Sequence, residues 1–435
     1  MPKVKIVTFG CQANELDSAR IAGTLLAEGY AVTEDEAEAD VILLNGCSIR
    51  EKAEQKLYSR LGSLQGLKAE RPGLRLGVAG CLGQRAGKQL LRRFPGLDLV
   101  VGNGEHLTEI PRLLAGRGPG VAVSEPVGLF DGAVVRDSRF RAWVGIMEGC
   151  DHFCAFCVVP FTRGRERSRR PEDILGEVRD LQARGYREIT LLGQTVNGYG
   201  KKLVPPVTFA ALLRLIDAEV AGRMRVRFTT SHPVDVTPEL AEALASLPCV
   251  CEHIHLPVQS GSSRTLLRMA RGYDRTDYLS RISLLRGALP DLAITTDLIA
   301  GFPGETDAEF EETLSLLREV RFDACFAFKF SARSGTPAAE LPDQVSEEVK
   351  ADRLQRLLTL QTAISLEKNR ALVGGRMEVL VDRGLSKRDS GLGAGRTRQN
   401  RIVHFRGEAT EGSLTMVDIT EANSHHLKGV LIPSP

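Results

Sequence analysis

The chain has 435 residues, 43% hydrophobic and 26% charged, with 57 Lys and Arg against 55 Asp and Glu for a net charge of +2. This is the composition of a soluble globular protein of roughly two to four domains, and the net charge by itself points to no partner. No run of about 18 apolar residues is present, which argues against a membrane-spanning helix, and residues 1–10 lack the apolar core of a signal peptide, so the expected location is cytoplasmic. Nine cysteines in such a chain are expected as ligands, catalysts or buried thiols rather than disulfides.

Residues 1–116 read as one domain of alternating strands and helices. Val4–Thr8, Val41–Leu44 and Leu74–Ala79 are strand-like and run into Gly10-Cys11, Gly46-Cys47 and Gly80-Cys81. Helical patterns at Ser18–Glu28 and Ile49–Leu67 lie between them. Short apolar runs separated by helices predict a parallel sheet. Each cysteine then falls just past the carboxyl end of a strand, where open α/β folds bind ligands. Gaps of 36 and 34 residues match one strand–helix unit each, so three thiols distant in sequence can converge on one crest. A lone Gly-Cys after a strand is usually a small buried residue. Three in register, beside a second three-cysteine loop, form a candidate metal site.

A Gly-, Val- and Arg-rich stretch follows and reads as a linker, 117–135, with a short strand pair. From Ala142 a second alternation begins, with strands expected at Trp143–Met147, Glu188–Leu192, Val226–Thr230, His253–Pro257, Ile294–Ile299 and Ala324–Phe330. Helices are expected at Pro171–Arg184, Phe209–Ala218, Pro238–Leu247, Arg275–Ala288 and Ala308–Val320, the first opened by Pro171 and closed by Gly185. Six βα units over residues 136–368 predict a partial (β/α)6 barrel. A last helix, Glu347–Leu372, leads out of it. The tail, 371–435, holds Met377–Asp382, Arg401–Phe405 and Leu414–Ile419 as short strands between Gly-rich turns, which predicts a small all-β barrel. Within it Arg383, Lys387, Arg388, Arg396, Arg398, Arg401 and Arg406 face a single acid, Asp389, and this excess is a candidate phosphate footprint.

The segment most informative about chemistry is Cys150-x3-Cys154-x2-Cys157, just past the first barrel strand. Structural zinc loops usually pair two C-x2-C units or add histidines, and a four-iron cubane also wants four thiolates. Three thiolates leave one iron open to bind a small molecule. A zinc loop completed by His152 or a distant ligand is the competing reading. With Phe156 before its last cysteine, the loop resembles the signature of the radical S-adenosylmethionine (SAM) superfamily.

Further motifs are similar to those of the methylthiotransferase family: residues 10–18 (GCQANELDS), Asn45-Gly-Cys47, Gly80-Cys81, Leu192–Asn197, Thr229–Pro233, His255–Gly261 and Asp297–Thr306. The tail segment Gly395–Asn400 resembles the family's RNA-binding TRAM domain, an OB-like barrel. The Gly-Cys-Gln start and Phe228–Pro233 resemble the branch of tRNA-2-methylthio-N6-dimethylallyladenosine synthases, with one departure at Ala13, where that branch commonly carries Met. The resemblance implies a three-domain α/β protein with two [4Fe-4S] clusters, one on Cys150, Cys154 and Cys157 and an auxiliary one on Cys11, Cys47 and Cys81. It implies SAM as source of a 5′-deoxyadenosyl radical and of a methyl group. The implied substrate is isopentenylated adenosine in a tRNA anticodon stem-loop, with sulfur delivered to adenine C2. Threonylcarbamoyladenosine tRNA and a ribosomal-protein aspartate are the alternatives, and a non-catalytic RNA-binding protein with redox-sensing clusters is the rival of another class. A reductant such as flavodoxin or ferredoxin is implied as partner. Carried over as SAM contacts are Phe156, Gly193, Gln194, Asn197, Ser231 and Gln259, each with turn formation or packing as its bland alternative. His253 and His255 share a strand face and read as barrel-lining, His152 as a spacer, and Cys249, Cys251 and Cys325 as buried thiols. Arg163, Arg165, Arg167, Arg169 and Arg170 follow the loop and are candidates for tRNA phosphates.

Overall fold

In the computed structural model, which describes residues 1–48, 51–116, 118–126, 128–130, 132–382 and 392–432, the strand Val41–Gly46 is buried along its whole length. That pattern belongs to a central parallel strand covered on both faces. It pairs with Lys3–Phe9 on one side and Arg75–Ala79 on the other, in a six-stranded parallel sheet completed by Ala31–Val32, Leu99–Val101 and Gly120–Ala122. One apolar layer (Leu44, Leu57, Leu61, Val78) and another (Val4, Ile21, Leu25, Leu43) cover the two faces. The edge strand Gly120–Ala122 comes from the stretch expected to be a linker. The first helix runs Gln12–Ala27, earlier than the expected Ser18, because Cys11 itself stands at the N-cap.

The central part forms a second architecture. Six parallel strands, Arg141–Gly145, Glu188–Leu192, Arg225–Thr229, His253–His255, Ala293–Ala300 and Ala324–Lys329, follow one another around an open barrel. The ladder is interrupted once, between the third and fourth strands, where a bridge Val226–Val250 joins the halves. Helices seal the outside, and their starts follow elementary capping chemistry. Thr208, Thr237 and Ser346 accept from backbone N–H groups, Pro171 and Pro238 occupy first turns, and Thr306 forms a capping box with Glu309. The helix expected at Arg275–Ala288 is found with those bounds, and the one expected at Pro171–Arg184 runs Pro171–Ala183 with Arg184 as its C-cap. A helix Glu347–Arg370 then leads into a closed five-stranded barrel, in which Gly393–Thr397 and His426–Leu431 stand beside the three expected strands.

The C-terminal barrel seats on the amino ends of the large barrel's strands. Arg225 bonds Glu378 and the Arg396 carbonyl, Arg227 donates to the Thr397 and Arg398 carbonyls at 2.6 and 2.7 Å, and Arg141 pairs with Asp382. Arg398 reaches back to Glu252 at 2.7 Å and to the Val250 carbonyl at 2.6 Å. The opposite face, at the carboxyl ends of the strands, is left for the cysteine loop.

Candidate metal centres and active site

The N-terminal sheet reverses its strand order at Lys3–Phe9, which has Ala31–Val32 on one side and Val41–Gly46 on the other. Ligands of open parallel sheets bind at such a switch point, outside the carboxyl ends. Register brings the ends level: Phe9 faces Gly46, and Asn45 faces Ala79. Cys11, Cys47 and Cys81 therefore gather on one crest. The Cys47 N–H is held by the Phe9 carbonyl at 2.8 Å. Cys11 caps one helix and Cys81 opens another, so both thiols lie where helix dipoles favour negative charge.

Two buried asparagines knit this crest. Asn14 donates to Asn45 Oδ1 at 3.2 Å, and Asn45 returns a bond to the Asn14 carbonyl at 2.8 Å. Gly80 has φ +86°, and a Cβ there would meet Asn45 Oδ1 at 2.1 Å, so only glycine admits the crossing. Beside the thiols stands the guanidinium of Arg163, 4% exposed and paired with Asp17 at 2.6 Å. A hydrogen bond to Cys47, aided by Arg163, lowers the Cys11 thiol to about 5.

The second triad is local. Gly149, φ +80°, and Phe153, φ +48°, turn the chain tightly around Cys150 and Cys154. Arg271, buried, donates to Cys154 Sγ at 3.1 Å and to the Pro257 carbonyl at 3.0 Å. Burial pushes Cys150 up to about 11 and Cys157 to about 12, the opposite of Cys11. Asn103 joins the two centres: its amide contacts Cys81 Sγ at 3.5 Å and donates to the Thr162 carbonyl, just past the loop, at 3.0 Å. Neither cysteine set closes a zinc tetrahedron by itself, since each offers three thiols where structural zinc takes four ligands. A zinc tetrahedron needs its sulfurs about 3.8 Å apart. Among the described residues only His152, His232 and Asp235 bring three ligand atoms within 4.8 Å of one another. Three thiolates per crest, each beside a buried arginine, suit a [4Fe-4S] cluster with one iron left to another ligand.

Residues 3–102 match uncharacterized protein family UPF0004, and residues 144–317 match the radical SAM superfamily. A tRNA-2-methylthio-N(6)-dimethylallyladenosine synthase from Carboxydothermus hydrogenoformans is 49% identical over 98% of this chain and 98% of its own length. One of the same name from Desulforamulus reducens is 46% identical over 99% of this chain and 95% of its own. The chain belongs to the tRNA-2-methylthio-N6-dimethylallyladenosine synthase family. In fold it is similar to the radical SAM methyltransferase TsrM from Kitasatospora setae, with TM-score 0.57, 16% identity, and coverage of 78% of this chain and 74% of that one.

Within this synthase family member the residues expected to contact SAM take several positions. Gln194 accepts from the Gly149 N–H at 2.7 Å and so supports the loop from behind. Asn197 exchanges two hydrogen bonds with the His232 backbone, at 2.7 and 2.8 Å. Ser231 is buried with its hydroxyl unpartnered among protein groups, and Gln259 sits at φ +76°. Gly193 packs tightly on Met147: a Cβ would lie 2.4 Å from Met147 Cγ. Phe156 meets Phe302 edge-on at 6.5 Å. His253 and His255 both reach Thr295 Oγ1, at 3.1 and 3.0 Å.

Three expectations need correction. His152 is more than a spacer: it stacks on His232 at 3.7 Å and reaches Asp235 at 3.3 Å, bracing the loop against the turn that follows the third strand. In the run after the loop, Arg163 is buried against Asp17, Arg167 binds the Pro126 carbonyl at 2.9 Å, and Arg169 pairs with Glu177 at 2.6 Å; only Arg165 and Arg170 are exposed. In the tail, Arg396 bonds Asn400 at 3.1 Å, Arg398 binds Glu252, and Arg401 binds Asp323 at 2.5 Å, so these hold the structure together. Arg406 is exposed, whereas Arg383, Lys387, Arg388 and Asp389 lie outside the described residues. Asn14, Asn45, Asn103 and Arg271 escaped sequence reasoning. The first two stand inside motifs already singled out, but nothing in the letters distinguished a brace from a bystander.

Proposed function

We propose that this chain is a tRNA methylthiotransferase that converts N6-isopentenyladenosine beside the anticodon to its 2-methylthio derivative. The observation that carries the reading is a pair of three-cysteine sites, one on the sheet crest and one on the barrel crest, with Asn103 bonded to Cys81 of one and to the Thr162 carbonyl just past the loop of the other. A radical enzyme with one cluster needs no second crest of this kind. The names of the curated relatives supply the substrate.

The chemistry explains why two centres are needed. The adenine C2–H is neither acidic nor hydridic, so no side-chain acid or base near neutral pH offers a route. When bound, SAM and two [4Fe-4S] clusters supply a carbon radical able to take that hydrogen and the sulfur that replaces it. The chain's own work is placement. Cys150, Cys154 and Cys157 hold one cluster and Cys11, Cys47 and Cys81 the other. Arg271 and Arg163 offset the thiolate charge at each. Phe156, Gly193, Gln194, Asn197, Ser231 and Gln259 form the SAM side of the site, Gln194 and Asn197 through the loops they tie. The target base, in a single-stranded loop, is splayed out of its stack at modest cost.

Residues 1–116, with the sheet's edge strand Gly120–Ala122, and residues 136–368 would then be the sulfur-delivering and radical-generating domains, the rest of 117–135 joining them. Residues 371–435 would be the TRAM domain. Flavodoxin or ferredoxin is the fitting reductant, and the cytoplasm the fitting location. Among the described residues no helix is long and apolar enough to cross a membrane.

The test is anaerobic. The protein, reconstituted with iron and sulfide, receives SAM, dithionite and isopentenylated anticodon stem-loop RNA, and nucleosides are read by mass spectrometry. The 2-methylthio product is expected. Deoxyadenosine without product would move the substrate to threonylcarbamoyladenosine tRNA or a ribosomal-protein aspartate. No SAM cleavage with both clusters intact would sink the enzymatic reading.

A further inference from the structure

Four charged side chains at the junction of sheet and barrel are almost withdrawn from water. Their side-chain exposures are 1% for Asp17, 7% for Arg20, 6% for Glu148 and 4% for Arg163. They alternate in sign. Arg163 meets Asp17 at 2.6 Å, Asp17 meets Arg20 at 3.3 Å, and Arg20 pairs with Glu148, which Arg167 approaches at 3.9 Å. Glycines make room for the contact. A Cβ on Gly145 would lie 2.9 Å from Arg20 Nη2, and one on Gly104 would lie 2.9 Å from Glu148 Oε2.

A network of this kind is a poor source of stability. Desolvating the charges costs about as much as their attraction returns, and well-packed apolar replacements are often as good. Its best-attested use is to fix register. Here the places of its members are informative. Asp17 and Arg20 share one face of the helix Gln12–Ala27, whose N-cap is Cys11. Glu148 stands two residues before Cys150, and Arg163 six after Cys157. Each cross-junction pair therefore ties the helix capped by one thiol of the crest triad to a segment flanking the loop triad. Two attachments on one helix stop both sliding and rotation, where a single one would leave a pivot.

We propose that Asp17, Arg20, Glu148 and Arg163 are positioning residues that fix the separation and orientation of the two thiol triads. The inference rests on the reading that both triads carry clusters in one reaction. Hydrogen removal and sulfur delivery must meet at a single carbon, and misplacement by about 1 Å can cost on the order of 100-fold in such a constellation.

The experiment uses the full-length reconstituted enzyme and the variants Asp17→Asn and Arg20→Gln. With both clusters reduced and no RNA present, electron paramagnetic resonance reads the magnetic interaction between them, which falls steeply with separation. With SAM and stem-loop RNA added, product is counted per deoxyadenosine. Both variants are expected to keep their iron, to show an altered inter-cluster interaction, and to form at least about tenfold less product per deoxyadenosine. An unchanged interaction with an unchanged product ratio overturns the proposal. So does loss of auxiliary iron, or failure of both variants to fold, since cluster binding or stability would then account for the network. Absence of product from the unsubstituted enzyme would instead sink the functional reading, while the magnetic measurement still decides the positioning role.

Discussion

The two cysteine triads reach the same donor set by opposite routes. Cys150, Cys154 and Cys157 lie within eight residues, and local backbone does the gathering, with Gly149 and Phe153 in the left-handed region. Cys11, Cys47 and Cys81 span 71 residues, and only the registers Phe9–Gly46 and Asn45–Ala79 bring them level. Closing a short loop costs little entropy, whereas the long-range crest exists only when the whole sheet is formed. One site is therefore a property of a segment, and the other a property of a domain.

Substitutions should tell the two sites apart. The largest contrast is between ligands of the two sites. Cys154→Ala should abolish SAM cleavage, whereas Cys11→Ala should keep cleavage under dithionite and lose sulfur transfer. Full iron and full product in Cys11→Ala would show that the crest is no cluster site. Next comes the crest's dependence on its domain. Leu57, 0% exposed, packs under Gly46, so Leu57→Ala should cost the N-terminal domain about 2–5 kcal/mol. Thermal loss of the auxiliary iron should then precede loss of the loop's iron. Simultaneous loss of both would erase the distinction.

A smaller effect separates two arginines of the tail. Arg398, a quarter exposed and bound to Glu252, holds the small barrel in place. Arg398→Ala should lower stability by about 1–2 kcal/mol. Its effect on the salt dependence of RNA binding should be slight. Exposed Arg406 should behave the other way: Arg406→Ala leaves the melting temperature near wild type and lowers the slope of log affinity against log salt by about 1. Equal slopes for the two variants would remove Arg406 from the RNA face.

Charge shows the limit of reading letters. Two arginine runs look alike in sequence, both as candidates for phosphate. Folding spends Arg163 and Arg167 at the junction of sheet and barrel, Arg169 on Glu177 within the large barrel, Arg396 on Asn400 within the small barrel, and Arg398 and Arg401 on seating the small barrel. A guanidinium five donors wide serves phosphate and carboxylate equally well, so the partner is decided by what the fold brings opposite. His152 teaches the same lesson, since its stacking partner His232 lies 80 residues away.

The classes of element and the chemistry were legible in the order of residues. Continuous apolar runs made parallel strands, prolines and Ser/Thr caps opened helices, and the C-x3-C-x2-C spacing set three thiols on one loop, because each of these is a property of neighbours in the chain. Which strands stand side by side, which asparagines brace the crest, which arginines are buried and which side chains link the two cysteine sites emerge only on folding. These depend on contacts across tens to more than a hundred residues, between Arg20 and Glu148 or Asn103 and Thr162, and no local pattern carries that pairing.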